Sequence, residues 1–298
     1  MVYTVTPNPS LDYVLDVENF REGKLNRSKG ETFRPGGKGI NVSVMLSRLG
    51  IETLALGFAG GFTGSELRRR LTEENVRHEL IECDGTTRIN VKFGDTEINA
   101  GGVKVGQREI DALFRMLERI KSGDVLVLAG SVGSSESRTL YADILRRLEG
   151  RNVKTVVDAS GELLKNALAK RPFLVKPNIA ELEELCGVKI VGDDMLVKCA
   201  RELIERGAQN VIVSLGRDGA LLTDGKTTIR HAAPEGKAVC AVGAGDSLVA
   251  GFIAGLLSGE NKERALLRGI AAGSATAFSE WLAERADVEN LLKSPEGV

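Results

Sequence analysis

The residues of this chain best suited to chemistry are an aspartate and a lysine, each set in a glycine-rich turn. The first turn, Val242-Gly243-Ala244-Gly245-Asp246-Ser247, opens a helical pattern. Glycine-rich N–H groups at a helix start form a nest for an anion, and the helix dipole adds partial positive charge. A carboxylate there is costly unless its charge has a task. Asp246 can take the proton of an attacking hydroxyl while the amides of Gly243, Ala244 and Gly245 hold a transferring phosphoryl group. The plainer reading is a first-turn acid that stabilises its own helix. The second turn, Arg34-Pro35-Gly36-Gly37-Lys38-Gly39-Ile40-Asn41, also leads into a helix. Gly36 and Gly37 bring backbone against a ligand, Lys38 supplies charge and Asn41 supplies hydrogen bonds; a glycine loop with a solvated lysine is the alternative. It is not a Walker A loop, which needs G-x-x-x-x-G-K-[ST]. The nearest approach runs from Gly219 to Gly225-Lys226-Thr227, with five residues between the glycines instead of four. Thr223-Asp224-Gly225-Lys226 reads instead as a hairpin turn.

Weaker signals surround these two. Ser214-Leu215-Gly216-Arg217-Asp218-Gly219 follows an apolar run and either cradles a nucleotide or simply ends a strand. Lys176-Pro177-Asn178-Ile179-Ala180-Glu181 places Asn178 as an N-cap with Glu181 three residues on, a capping-box variant. The functional alternative points Glu181 at a hydrated Mg²⁺, which favours carboxylates and retained waters. Asn8-Pro9-Ser10-Leu11-Asp12 follows the first strand, where Asp12 either holds sugar hydroxyls or serves a turn. Lys24, Arg27, Lys38 and Arg88 are basic candidates for a substrate phosphate, although a lone basic residue is more often a solvated surface charge.

The whole chain limits what these residues can do. Its 298 residues, 42 % apolar and 27 % charged, suit a folded α/β enzyme. No apolar stretch approaches the roughly 18 residues of a membrane helix, and no signal-peptide pattern opens the chain, so the expected compartment is the cytoplasm. A net charge of −1 argues against general nucleic-acid binding. The four cysteines are scattered and the histidines number two, which disfavours zinc, disulfide and Ser-His-Asp chemistry. Carboxylates, Lys, Arg and backbone amides must do the work.

Positioning those groups falls to alternating elements. Strand candidates are 2–6, 53–59, 124–128, 154–157 and 210–214. Amphipathic stretches lie at 40–49, 65–74, 109–120, 137–148, 180–186 and 194–206, with helices at 244–257 and 262–281. This predicts a mainly parallel sheet covered on both faces, with ligands at the carboxyl ends of its strands. Two segments break the rhythm. Residues 12–17 with 29–34, and 87–100 with a turn at Asp95, read as a small extra sheet or as ordinary hairpins.

Taken jointly, Gly36-Gly37-Lys38-Gly39-Ile40-Asn41, Asn178-Ile179-Ala180-Glu181 and Gly243-Ala244-Gly245-Asp246 resemble the PfkB branch of the ribokinase-like carbohydrate kinases, in order and spacing. Thr4–Asp12, Leu56–Gly64 and Thr87-Arg88-Ile89-Asn90-Val91-Lys92 look most like the bacterial 1-phosphofructokinase members. The resemblance implies one ribokinase-like three-layer α/β/α domain over 1–298, with a β-lid drawn from about 12–34 and 87–100. It implies ATP- and Mg²⁺-dependent phosphorylation of fructose 1-phosphate, with tagatose 6-phosphate and fructose 6-phosphate as rival acceptors, and a homodimer formed through the lid. It makes Asp246 the base and Gly243, Ala244 and Gly245 the anion hole. Asp12, Gly36, Gly37, Asn41 and Asn90 become sugar contacts, and Lys24, Lys38 and Arg88 phosphate contacts. Lys176, Asn178, Ser214, Leu215, Gly216, Arg217, Asp218 and Gly219 become ATP contacts, with Glu181 reaching Mg²⁺ through water. One departure is Cys240-Ala241-Val242, where many relatives carry the Asp-Thr-Thr that helps bind a monovalent cation. A non-catalytic sugar-phosphate sensor is the rival of another class.

Overall fold

The computed structural model describes residues 1–94, 96–133 and 138–293. Strand β1 (Val2–Thr6) is buried throughout, because the sheet it founds is covered on both faces. Its side chains alternate between two cores: Tyr3 and Val5 enter one, Val2 the other. The Thr4 hydroxyl lies 2.7 Å from that of Ser43, which is 3.1 Å from that of Thr53. This polar chain seats the first helix on the sheet.

Among the described residues the main sheet has nine strands. β1 is flanked in parallel by β4 (Thr53–Ala59) and β5 (Arg77–Glu82) on one side. On the other run β8 (Val125–Ala129), β9 (Lys154–Asp158), β10 (Leu174–Val175) and β11 (Val211–Ser214), also parallel. An antiparallel hairpin of β12 (Ala220–Thr223) and β13 (Thr228–His231) closes that edge. Helices α1 (Lys38–Arg48), α2 (Gly61–Glu73), α8 (Ala244–Leu257), α9 (Lys262–Ala277) and α10 (Arg285–Lys293) pack on one face. Helices α3 (Gln107–Leu117), α4 (Leu140–Arg147), α5 (Gly161–Leu168), α6 (Ile179–Cys186) and α7 (Gly192–Glu205) cover the other. These are the three layers the alternation predicts. Four elements were not anticipated. β5 carries Arg77, Glu79 and Glu82 because it is an edge strand, so it lacks a continuous apolar run. β10 spans only two residues, and α5 and α10 are short. The last long helix stops at Ala277 rather than Trp281, and α4 begins at Leu140. Ser137, where that helix was expected to start, lies outside the described residues.

The small extra sheet is present. β2 (Ser10–Asp16), β3 (Gly30–Gly36), β6 (Arg88–Phe93) and β7 (Thr96–Asn99) run in the order β3-β2-β6-β7. β2 is antiparallel to β3 but parallel to β6. The turn expected at Asp95 lies outside the described residues. The register puts Asp12 between Arg34 and Asn90. Among the described residues no helix is long and apolar enough to cross a membrane.

Helices α8 and α9 approach backbone to backbone. A Cβ added at Gly251 would fall 2.6 Å from the Arg268 carbonyl oxygen and 2.9 Å from the Gly269 Cα. Gly251→Val is therefore expected to overpack this seam and cost about 1–3 kcal/mol. A lower urea midpoint at unchanged slope would show it; an unaltered midpoint would contradict the packing.

Candidate active site

Both glycine turns cap helices. Gly37 precedes α1 with φ 109 and Gly243 precedes α8 with φ 84, backbone values that side-chain-bearing residues avoid. Asp246 occupies the first turn of α8 and is 7 % exposed. Its Oδ2 accepts a hydrogen bond from Asn41 Nδ2 at 2.7 Å, across 205 residues of sequence. That bond joins the late turn to the early one.

Beneath them lies a carboxylate that sequence reasoning missed. Asp158, the last residue of β9, is fully buried. Lys38 Nζ stands 2.9 Å from its Oδ1 and Lys176 Nζ 3.4 Å from its Oδ2; Lys38 is also 3.6 Å from Glu181 Oε1. Burial alone pushes the Asp158 carboxyl up, but the ammoniums of Lys176 and Lys38 outweigh it and hold the group below its ordinary range. Burial likewise pulls on Lys38, and Asp158 and Glu181 overcome it, so its ammonium is held more firmly than usual. Asp246 behaves differently. Burial first and the charge of Asp158 second push it up to about 7, against the pull of Asn41, Lys38 and Lys176. A buried carboxyl poised near neutrality suits proton acceptance.

Two clefts meet at the 241–246 turn. The larger, about 760 Å³, is lined by Asn178, Ser214, Gly216, Arg217, Asp218, Gly219, Ala241, Ala244, Gly245 and the apolar rim of α9. The smaller, about 290 Å³, is lined by Asp12, Arg34, Asn41, Lys92, Ala241 and Trp281. Ala241 belongs to both. In the smaller cleft Asp12 is held on three sides: Ser10 Oγ donates at 2.7 Å, Asn90 Nδ2 at 3.1 Å, and Lys92 Nζ lies 2.9 Å away. Gly36 abuts this carboxylate, since a Cβ there would lie 2.5 Å from Asp12 Oδ1.

Most of the sequence-predicted residues therefore converge. Asp12 and Asn41 line the smaller cleft; Asn90 and Gly36 abut Asp12, Asp246 is bonded to Asn41, and Lys38, next to Gly37, reaches Asp158 beneath. Asn178, Ser214 and Gly216–Asp218 with Gly219 line the larger one, and Lys176 reaches under Gly245, where an added Cβ would lie 3.3 Å from its Nζ. Asn178 and Glu181 do form the capping box, with Glu181 N donating to Asn178 Oδ1 at 2.8 Å and Asn178 N to Glu181 Oε2 at 2.9 Å. Glu181 still presents its other oxygen to Lys38. Arg88, half-buried, donates from Nε to the Asn8 carbonyl at 3.2 Å, opposite Ser10 in the sheet register.

Two expectations fare differently, and a third, a turn, is met. Leu215 turns its side chain into the core rather than the cleft, because residue 215 ends the inward face of β11. Lys24 and Arg27 stand in the loop at 17–29, beyond the Asp16–Gly30 end of the β2–β3 pair and away from Asp12. The suspected hairpin at Thr223–Lys226 is one: Asp224 Oδ1 accepts from Lys226 N and Thr227 N at 3.1 and 2.8 Å. The one signal of Asp158 in the sequence is an acid directly after the strand-like run Thr155-Val156-Val157, and that of Lys92 its place in an alternating Arg88, Asn90, Lys92 face.

A doubly covered parallel sheet, an amide nest beside a near-neutral buried carboxyl, and a side sheet carrying a sugar-type polar pocket together define a phosphotransferase acting on an alcohol. Comparison with known proteins narrows this class. A model described as pfkB family carbohydrate kinase matches residues 7–284, and the chain belongs to that family. It is 45 % identical over 295 residues to the 1-phosphofructokinase of Bacillus subtilis (strain 168), covering 98 % of this chain and 97 % of the relative. The structure of phosphofructokinase-2 from Escherichia coli in complex with fructose-6-phosphate superposes with a TM-score of 0.91 at 32 % identity, covering 97 % of each chain. Arabidopsis thaliana ribokinase, complexed with ribose and ATP, shares the fold at 19 % identity with a TM-score of 0.78, over 98 % of each chain. The architecture is thus ribokinase-like.

The raised pKa of Asp246 has two readable effects. Turnover limited by its ionisation should climb with pH through about 7, and Asp158→Asn should move that limb to lower pH by removing a neighbouring negative charge. For stability, a carboxyl whose folded value exceeds its unfolded value of about 3.9 stabilises the fold fully below that pH and loses this contribution as pH rises through about 7. Asp246→Asn should therefore melt higher than wild type above pH 7, with the difference closing toward pH 4. A pH-independent difference in melting temperature would refute the assignment.

Proposed function

We propose that this chain transfers the γ-phosphoryl group of ATP to the 6-hydroxyl of fructose 1-phosphate, giving fructose 1,6-bisphosphate. The observation that carries the reading is the meeting of the two clefts at the 241–246 turn, with the Asp246 carboxyl buried at the junction and fastened to Asn41. A nucleotide along the larger cleft directs its terminal phosphate at the Gly243–Gly245 amides. A sugar in the smaller cleft, held by Asp12, Asn90 and Asn41, places its free primary hydroxyl against Asp246. Transfer requires in-line geometry and charge neutralisation more than a strong base. Asp246 orients the hydroxyl and takes its proton late, while the amides stabilise the equatorial oxygens, each well-placed donor contributing about 2.7–4 kcal/mol. Lys38 and Lys176 add positive charge beneath the migrating group.

The acidic groups present fit a hydrated Mg²⁺ rather than a closed metal cage. Glu181 keeps Oε1 free of its capping box, 3.6 Å from Lys38 Nζ, and no cluster of three or more metal-type ligands exists among the described residues. Glu181 would hold the ion through water, and when bound the ion would neutralise phosphate charge. The small sheet then acts as a lid that excludes water. Its exposed Phe20, Leu25 and Ile98 are the surface through which we assign pairing with a second copy. Free cysteines throughout the described residues suit a reducing cytoplasm.

A second acceptor is favoured by one observation, the close superposition with a phosphofructokinase-2 bound to fructose-6-phosphate. A coupled ADP-release assay across fructose 1-phosphate, fructose 6-phosphate and tagatose 6-phosphate separates the readings. The highest kcat/KM is expected for fructose 1-phosphate, and ADP release with none of them would overturn the kinase assignment. Asp246→Asn should lower kcat by at least about 10²-fold while calorimetry finds ATP affinity retained.

A further inference from the structure

One cation in the acceptor cleft takes no part in the transfer described above. The Lys92 side chain, 15 % exposed, holds its Nζ 2.9 Å from Asp12 Oδ2 and 3.6 Å from Glu97 Oε1. Backbone register dictates both contacts. Lys92 sits directly opposite Glu97 on β7, and Asn90 directly opposite Asp12 on β2, so Lys92 reaches Asp12 along the diagonal. The other Asp12 oxygen is already occupied by Ser10 and Asn90. A largely buried ion pair of this kind is weak evidence for a stabilising role, because desolvation offsets its attraction. This one instead lines a cleft with Asn41 and Arg34. Beside it, the Oδ1 of Asn90 is buried with no hydrogen-bond partner, a state proteins rarely leave unfilled.

A sugar hydroxyl both donates and accepts. A site that offers only carboxylate oxygens accepts from hydroxyls and gives none of them a proton. We propose that Lys92 is the specificity residue of the acceptor site: its ammonium donates to the hydroxyl adjacent to the one Asp12 accepts from, so the pair reads the relative configuration of neighbouring hydroxyls on a ketohexose phosphate. Glu97 holds the ammonium from behind, and Asn90 Oδ1 accepts from the same diol. The charge matters as well. Without Lys92 the carboxylates of Asp12 and Glu97 face an incoming phosphate dianion with Arg34 as the cleft's remaining lining cation. This inference rests on the kinase reading and goes further, since it says which feature of the acceptor is discriminated.

The test compares Lys92→Met and Lys92→Arg with wild type on fructose 1-phosphate and its C4 epimer, tagatose 1-phosphate. Steady-state rates are read alongside calorimetric binding of each epimer. Lys92→Met should lose about 10- to 100-fold in kcat/KM for the epimer the wild type prefers, as expected for a charged hydrogen bond. The loss should lie in the acceptor KM, leave the KM for ATP unchanged, and collapse the epimer ratio toward one. Lys92→Arg keeps the charge but moves the donors, so it should restore part of the affinity and still shift the ratio. An unchanged ratio in a variant with wild-type melting temperature overturns the proposal, even if both rates fall together. Should the methionine variant not fold, the arginine variant decides by the same ratio. A wild type that binds the epimers unequally yet turns over neither would defeat the kinase reading instead, and the binding ratios would still judge Lys92.

Discussion

A charge with no access to water must be met by opposite charge, and in this molecule that demand falls on Asp158. A lone ionised carboxylate in such surroundings would cost many kcal/mol. The two ammoniums that relieve it come from different directions, Lys38 from the turn entering α1 and Lys176 from the segment between β10 and α6. Satisfying one buried anion thus draws two distant loops over the carboxyl ends of the strands. Lys38 also leans toward Glu181, so α6 is brought into the same arrangement. The result is a floor of paired lysines and carboxylates beneath the Gly243–Gly245 turn.

The same anion sets the character of its neighbour. Asp158 and Asp246 share two lysines and a low-dielectric setting, yet they titrate in opposite directions. Direct lysine contact holds Asp158 ionised, whereas Asp246 meets the neutral amide of Asn41 and the field of Asp158. Two carboxyls driven apart in this way divide the labour: one remains a fixed structural charge and the other can exchange a proton near neutral pH.

Much of this was legible in the primary structure, for identifiable reasons. Residues 2–6 and 53–59 are fully buried parallel strands, so their runs carry no charged residue and their bounds were readable to the residue. The glycine turns at 36–37 and 243–245 stood out because an anion nest needs residues without side chains. β5 escaped because an edge strand carries charges on its open side, and β10 because two residues hold no periodicity. Asp158 escaped for a different reason: its significance lies in partners 120 and 18 residues away, which only the folded chain brings within reach. Leu215 shows the converse. Its neighbours line the larger cleft, but alternation with Val211 and Val213 sends residue 215 inward, and a motif carried over as a block does not record that alternation.

The pairing of β2 with β6 bears on how the molecule assembles. These neighbours run parallel, with Asp12 and Asn90 separated by 78 residues, and the intervening chain builds α1, β4, α2 and β5 of the main body. Closing so long a loop before its contents are ordered carries a large entropic penalty. Pairing of β2 with β6 is therefore favoured once α1, β4, α2 and β5 have condensed. Because all four strands of the small sheet end by Asn99, a nascent chain carries that whole sheet before it has made the residues 178–278 that line the larger cleft.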